Sequence, residues 1–172
     1  MVRDSDRRRK ATRLPGYEYR TPGYYHVVTN THGNICRFGE IRDSVMDLND
    51  IGAMIGLFWN AIPETFPHIS LDAYVIMPNH LHGIIFLEPW PDDAPGVALG
   101  DIMKWFKGTT GHHYGRGVRE QGWPRYDGEF WHRNYYEHIV RDERDLDRIR
   151  TYIANNPARW NTDRYYRMPE DI

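Results

Sequence analysis

The sequence contains one cysteine, Cys36, among its 172 residues. A single thiol excludes an internal disulfide and any zinc site built from several cysteines. The chain also lacks an apolar run approaching the ~20 residues that cross a membrane. Residues 1–6 lack the apolar core of a signal peptide. We therefore expect a protein of the cytoplasm that has no membrane partner.

Basic residues are missing from the middle of the chain. No Lys or Arg occurs in residues 43–103, although that stretch holds nine acids. Residues 1–20 hold seven Lys or Arg against three acids, so the net charge of −2 conceals a basic end. We expect residues 1–22 to form a flexible basic arm. Its Arg7, Arg8 and Arg9 are candidate contacts to nucleic-acid phosphates; the alternative, a solvated and disordered tail, is compatible with such contacts.

The spacing of apolar residues predicts alternating strands and helices. Strands are predicted over 24–31, 69–77, 81–87 and 130–136, with a short extension over 35–41, and helices over 45–62, 99–110 and 143–155. Asp43 or Ser44 is the predicted cap of the first helix and Pro63 its end, while Asp142 is predicted to cap the last helix. The glycine-rich stretch 111–128 is predicted to be a mobile loop.

The order of these elements is typical of an α+β sandwich, in which helices cover an antiparallel sheet. A chain of this length is long enough for one domain with a core and too short for two. We place this domain at residues 23–160, with a tail over 161–172.

Two histidines follow a predicted tight turn at Pro78 and Asn79. Because strand side chains alternate between faces, His80 and His82 should point to one side and Leu81 to the other. Two adjacent imidazoles form half of a site for a divalent metal. The alternative is a solvated pair of strand histidines.

The predicted last helix carries a second group of chemically useful residues. Leu146, Ile149 and Ile153 are spaced three and four apart, which predicts a buried stripe. Tyr152 and Asn156 are four apart and should share a face. A phenol and an amide oxygen on one face suit a metal-assisted phosphoryl transfer. A half-buried tyrosine and a helix-ending asparagine are the structural alternatives.

Three stretches resemble the single-tyrosine transposases that carry the HUH motif, a histidine pair separated by a hydrophobic residue. Among these, the chain is most similar to the REP-associated tyrosine transposases and their insertion-sequence relatives. The stretches are residues 73–85, which contain Pro-Asn-His-Leu-His-Gly, residues 130–143, and residues 146–157, which contain Tyr-Ile-Ala-Asn-Asn-Pro. The resemblance covers about residues 24–160.

This resemblance implies a ferredoxin-like HUH domain followed by a helix that carries the nucleophile. It implies that Tyr152 is the catalytic tyrosine and that His80, His82 and Asn156 hold Mg²⁺ or Mn²⁺. The implied reaction cleaves and rejoins single-stranded DNA through a 5′-phosphotyrosine bond. The implied partner is a hairpin or palindromic repeat. A homodimer is compatible with the resemblance, because in the wider family a helix can complete the site in cis or in trans.

Lys104 and Lys107 share one face of the predicted second helix, where we expect them to contact DNA.

Tyr135 and Tyr136 are rival nucleophiles in a predicted strand. Two other functions stay open. One is a catalytically silent DNA-binding regulator of repeat elements. The other is a zinc-dependent hydrolase, for which Glu137 is the candidate base.

Overall fold

A computed structural model of the chain describes residues 18–91, 96–126 and 128–167. Most of the predicted basic arm, including Arg7, Arg8 and Arg9, lies outside the described residues, as does the end of the predicted tail. None of the described helices combines the length and the apolar character that crossing a bilayer requires.

Six strands and four α-helices occur in the described part of the chain. In order they are β1 (Gly23–Asn30), β2 (Gly39–Arg42), β3 (Val45–Leu48), α1 (Asp50–Asn60), α2 (Ile62–Thr65), β4 (Ile69–Ile76), β5 (His80–Leu87), α3 (Leu99–Glu120), β6 (Tyr136–Ile139) and α4 (Glu143–Ala154). Short 3₁₀ turns span His32–Asn34 and Pro157–Thr162.

The main sheet is antiparallel, with its strands in the order β4-β5-β1-β6. The first strand of the chain therefore lies between the third and the last strand of this sheet, which is the ferredoxin-like arrangement. The predicted fold class is confirmed. The remaining two strands, β2 and β3, form a separate hairpin.

Helices cover both faces of the main sheet. The larger core joins β5 residues such as Leu81 and Ile85 to Trp59 of α1 and Phe106 of α3. On the opposite face, Ile84 of β5 packs against α4. The α4 residues in this contact are the predicted stripe of Leu146, Ile149 and Ile153. Because β5 alternates, its even-numbered residues, including both histidines, lie on the α4 face.

The first helix is shorter than predicted. Residues 45–48 form β3, and the helix begins at Asp50 after Asn49, whose Oδ1 accepts a hydrogen bond from the Gly52 amide at 3.0 Å. Asp43 and Ser44 form the hairpin turn with φ of 49° and 65°, so they are not helix caps. Pro63 does not end α1, which stops at Asn60; it lies in the first turn of α2, where a missing N–H is tolerated.

The second helix is longer than predicted, because α3 continues to Glu120 through several glycines. The predicted mobile loop is therefore wrong for residues 111–120. One of these glycines has a packing role. A Cβ at Gly117 would lie 2.2 Å from the Trp123 ring, so only glycine lets the following segment fold back onto the helix.

The fourth strand of the sheet also begins later than predicted. It spans Tyr136–Ile139, whereas Trp131 makes only an isolated bridge with Thr31. Phe130 and Trp131 are buried in the larger core instead. Their aromatic character reflects burial of an irregular segment rather than strand pairing.

Candidate metal and tyrosine site

The two histidines of the motif converge at the start of β5. His80 is fully buried and His82 is 3% exposed. Their Nε2 atoms lie 3.0 Å apart, and their ring planes are nearly perpendicular at 82°. The prediction that both side chains share one face is confirmed.

Asn79 determines which nitrogen of His80 carries the proton. The Asn79 Nδ2 donates to the carbonyls of Asn34 and Tyr165, both at 2.7 Å. Its Oδ1 therefore faces the Nδ1 of His80, at 2.8 Å, as an acceptor. Nδ1 of His80 must then carry the hydrogen, which leaves a lone pair on Nε2. A hydrogen bond of this kind orients a histidine for metal binding.

Asp163 brings a carboxylate to the same place. Its Oδ2 lies 4.0 Å from Nε2 of His80, and its side chain is 5% exposed. Ligand atoms of His80, His82 and Asp163 all lie within 4.8 Å of one another. The sequence analysis missed Asp163, because no motif marks it and residues 161–172 were predicted to be a tail.

Asn156, the third ligand implied by the resemblance, lies just beyond the end of α4. It is 2% exposed, and its Oδ1 has no hydrogen-bond partner among the described residues. A buried amide oxygen without a partner is unfavourable, and a cation would satisfy it. Its role as a ligand stays a prediction.

Tyr152 lies beside the histidines on α4. Its ring meets His82 edge-on, with ring centroids 5.3 Å apart and planes at 85°, and a third histidine, His26, at 6.5 Å. Tyr152 is 38% exposed and lines an open cleft. Of the two rival tyrosines, Tyr135 packs against the larger core, whereas Tyr136 lines the same cleft as Tyr152.

The cleft at Tyr152 has a volume of about 240 Å³ and is open to solvent. Polar residues from β1, β5, β6 and α4 line it, together with the segment after the second 3₁₀ turn: His26, His82, Tyr136, His138, Arg148, Tyr152 and Arg164. Two arginines among the residues that line a cleft favour an anionic ligand such as a phosphate.

An acid–base pair borders this cleft. His138 Nε2 lies 2.7 Å from Asp145 Oδ2, and the second carboxylate oxygen of Asp145 accepts a hydrogen bond from Arg148 at 2.5 Å. The hydrogen bonds from His138 and Arg148 lower the pKa of Asp145. This pair connects β6 to the first turns of α4.

Burial keeps the histidines of the site neutral. It lowers the pKa of His80 to about 3 and that of His26 to about 4, with smaller effects from nearby cations such as Arg164 and Arg148. Burial also holds the pKa of His82 well below its usual value. Neutral imidazoles are the form that binds metal ions. Two converging imidazoles and a buried carboxylate therefore fit a divalent cation.

Lys104 and Lys107 belong to α3, which covers the face of the sheet opposite to the histidines. Lys104 is exposed. The Nζ of Lys107 donates to the carbonyls of His132 at 2.6 Å and Arg133 at 2.9 Å, and burial lowers its pKa. Contact of either lysine with DNA stays a prediction.

Residues 41–156 match the family model described as Transposase IS200 like. The chain belongs to the IS200-like transposase family. Members of this family are enzymes, so the protein is a transposase and its role lies in the processing of DNA. The predicted family is confirmed. The matched region of this IS200-like transposase contains His80, His82, Tyr152 and Asn156, and it ends before Asp163.

Two relatives come from Haemophilus influenzae. One is an uncharacterized protein, 36% identical over 178 residues, which cover 92% of this chain and 93% of the relative. The other, assigned as a REP-associated tyrosine transposase, is 27% identical over 107 residues, which cover 61% of this chain and 60% of the relative. The first match covers nearly the whole chain, beyond the residues that match the family model.

Two solved structures share the fold. One is a REP-associated tyrosine transposase bound to a REP hairpin, with a TM-score of 0.58 and 18% identity, covering 86% of this chain and 73% of that one. The other, from Deinococcus radiodurans and assigned as a transposase, has a TM-score of 0.51 and 18% identity, covering 83% of this chain and 95% of that one. At this identity the likeness supports the fold alone.

Proposed function

We propose that this transposase cleaves and rejoins single-stranded DNA, with Tyr152 as the nucleophile. The observation that carries the proposal is the edge-on contact between the Tyr152 ring and His82, 5.3 Å between centroids, beside two converging imidazole nitrogens. A phenol next to a candidate metal site, in a cleft with two arginines, suits attack on a phosphodiester.

In the proposed reaction, the Tyr152 hydroxyl oxygen attacks the scissile phosphorus and its proton passes to water in the cleft. A bond forms between that oxygen and phosphorus, the bond from phosphorus to the 3′-oxygen breaks, and the 3′-oxygen takes a proton. The products are a 5′-phosphotyrosine and a free 3′-hydroxyl. Since the number of phosphoester bonds is unchanged, attack by a 3′-hydroxyl rejoins the strands without ATP.

His80 and His82 are the proposed metal ligands, with Asp163 or Asn156 as the oxygen ligand. Such a set of imidazole and oxygen donors suits Mn²⁺, and also Mg²⁺ if water completes the shell. When bound, the ion supplies a Lewis acid that withdraws charge from the scissile phosphate. The residues of the chain provide the rest: Tyr152 attacks, and Arg148 and Arg164 orient the phosphate in the cleft.

The proposed substrate is a hairpin or palindromic repeat with a single-stranded flank. As part of the proposal we extend to this chain the partner of a protein that shares its fold, a REP-associated transposase bound to a REP hairpin. Glu137, the base required by the hydrolase alternative, is paired with Val27 in the sheet, and Val27 belongs to the larger core. Alternation along β6 turns Glu137 away from the cleft, so the hydrolase is the less favoured function.

The test is the formation of a covalent adduct. The protein is incubated with Mn²⁺ and a hairpin oligonucleotide that carries a single-stranded flank, then separated on a denaturing gel. We expect an adduct with the parent protein and none with Tyr152→Phe, which keeps the ring and removes only the hydroxyl. Tyr136→Phe is the matched control, because Tyr136 lines the same cleft, and it should still form the adduct. Mass spectrometry that finds the nucleotide on Tyr136 would contradict the proposal.

A further inference from the structure

His26 of β1 lies next to His82, on the side away from His80. Its Nε2 is 3.3 Å from Nδ1 of His82, while the ring centroids are 5.5 Å apart and the planes differ by only 17°. Nearly parallel rings whose centroids are this far apart, with the two nitrogens lying between them, meet edge to edge, which is a hydrogen-bond geometry rather than a face-to-face stack. His26 is 7% exposed.

Without a metal at His80 and His82, these contacts allow only one order of protons along the three neutral rings. Asn79 makes Nε2 of His80 an acceptor, as described above. The 3.0 Å contact between the Nε2 atoms then requires a hydrogen on Nε2 of His82. Because a neutral imidazole carries one proton, Nδ1 of His82 is an acceptor, and Nε2 of His26 must donate to it.

A metal at His80 and His82 requires the opposite order. Both Nε2 atoms must then present lone pairs, so the proton of His82 has to be on Nδ1. Nε2 of His26 must then accept the hydrogen from Nδ1 of His82. The single proton of the neutral His26 ring must therefore be on its Nδ1. His26 borders the cleft, where water can carry the exchange. His26 and His82 each lose one proton and gain one, while His80 is unchanged, so the net charge of the site stays the same.

We propose that His26 is a positioning residue whose tautomer switches with metal occupancy, donating to His82 in the metal-free protein and accepting from it in the loaded one. The inference rests on the proposed function, because it requires a metal at His80 and His82. It assigns a role to a histidine for which the motif provides none.

Long-range ¹H–¹⁵N correlation NMR reads the tautomers directly. We expect the metal-free protein, kept in chelator, to show the proton of His82 on Nε2 and that of His26 on Nε2. Saturating Mg²⁺ should move both protons to Nδ1. The proton of His80 should stay on Nδ1 in both states, which provides an internal control.

Two substitutions separate hydrogen bonding from packing, with Mn²⁺ affinity measured by electron paramagnetic resonance. His26→Phe keeps a ring and removes the partner, and it should weaken Mn²⁺ binding by about 10- to 100-fold, the usual effect of losing such a contact. His26→Gln places an amide where Nε2 stands, and the amide can donate or accept by flipping. Its affinity should stay within a few-fold of the parent value.

Ile84→Val is the matched control for packing, since Ile84 is paired with His26 in the sheet register and lies on the same face. It should loosen this face without changing Mn²⁺ affinity. The inference is overturned if His26→Phe binds Mn²⁺ as the parent does, or if His82 keeps its proton on Nε2 in the loaded protein.

The two proposals fail in different ways. If Mg²⁺ and Mn²⁺ leave the His80 and His82 signals unchanged, the metal site itself is wrong and this inference falls with it. If His80→Ala loses Mn²⁺ binding while His26→Phe retains it, the metal site stands and only the role of His26 is overturned. Should His26→Phe fail to fold, the tautomers of the parent protein and the affinity of His26→Gln still decide.

Discussion

Arg150 of α4 forms a two-bonded ion pair with Asp72 of β4. Its Nε lies 3.0 Å from Oδ1 and its Nη2 lies 2.6 Å from Oδ2. The pair connects α4 to the outer strand of the sheet, two residues before Tyr152. Together with the buried stripe of α4, it fixes how the helix lies over the sheet, and therefore where the phenol of Tyr152 stands relative to His82.

We predict that this ion pair contributes to stability and to the placement of Tyr152. Both side chains are partly exposed, at 38% and 20%, so the coupling should be the small one of a surface pair rather than that of a buried pair. A double-mutant cycle with Arg150→Ala and Asp72→Ala, followed by urea unfolding, measures it. Asp147→Ala is the control, because Asp147 binds Arg150 within the helix through one bond of 3.1 Å. Additive losses from the two substitutions would contradict the prediction.

Gly83 permits the contact between β5 and α1. A Cβ at this position would lie 2.2 Å from the Trp59 ring, which is fully buried. We predict that Gly83→Ala destabilises the protein by about 1–3 kcal/mol, since neither the strand nor the indole can move away freely. Gly108→Ala in α3 meets no atom within 4 Å and should instead stabilise by about 0.4–1 kcal/mol. Urea unfolding of both variants provides the comparison.

The sequence predicted the elements that bury a regular apolar face. Alternation located β4 and β5, and the three-and-four spacing of Leu146, Ile149 and Ile153 located α4 to within one residue. Strand alternation was also sufficient to place His80 and His82 together.

Local patterns failed where tertiary packing decides the structure. Met46 and Leu48 fit a helical stripe but belong to β3, because residues 43 and 44 adopt left-handed conformations that turn the chain into a hairpin. Glycines suggested a loop over 111–120, but burial of Tyr114 and the close approach of Trp123 to Gly117 maintain the helix. Asp163 and His26 reach the site through contacts between distant segments, which spacing along the chain does not encode.

We predict that Lys104 contributes one phosphate contact to DNA binding. It is exposed on α3, so Lys104→Ala should flatten the dependence of log affinity on log salt by about 0.7 for a single strand. The ammonium of Lys107 has three N–H groups. Two of them donate to backbone carbonyls, which leaves one for a phosphate. Lys107→Ala should therefore flatten the slope similarly and also lower stability. Fluorescence anisotropy with a hairpin oligonucleotide measures the slopes.

Arg116→Ala provides the control for a general loss of positive charge, because Arg116 is an exposed α3 residue paired with Glu120. Its slope should remain at the parent value. If Lys104→Ala and Arg116→Ala give equal slopes, α3 makes no specific contact with DNA through Lys104.

The identity of the oxygen ligand can be decided by comparing Asp163 and Asn156. The structure places Oδ2 of Asp163 4.0 Å from Nε2 of His80, and burial raises the pKa of this carboxyl. A buried carboxylate beside neutral imidazoles is unfavourable without a cation. We therefore predict that Asp163→Asn weakens Mn²⁺ binding by at least about tenfold. Losing a residue that only supports a ligand already costs about 10- to 100-fold, and losing a direct ligand should cost no less. The same change should leave metal-free stability unchanged or increase it.

Asn156→Ala provides the opposing test. Its Oδ1 lacks a hydrogen-bond partner among the described residues, so removing the amide should not destabilise the metal-free protein through a lost hydrogen bond. If Asp163 is the oxygen ligand, Asn156→Ala should retain most of the Mn²⁺ affinity in the same titration. If Asn156→Ala abolishes Mn²⁺ binding while Asp163→Asn binds as the parent does, the oxygen ligand is Asn156, just beyond the end of α4, as the family resemblance implies. A loss in both variants would mean that the two oxygens share the ion, because each substitution then removes a donor from one coordination shell.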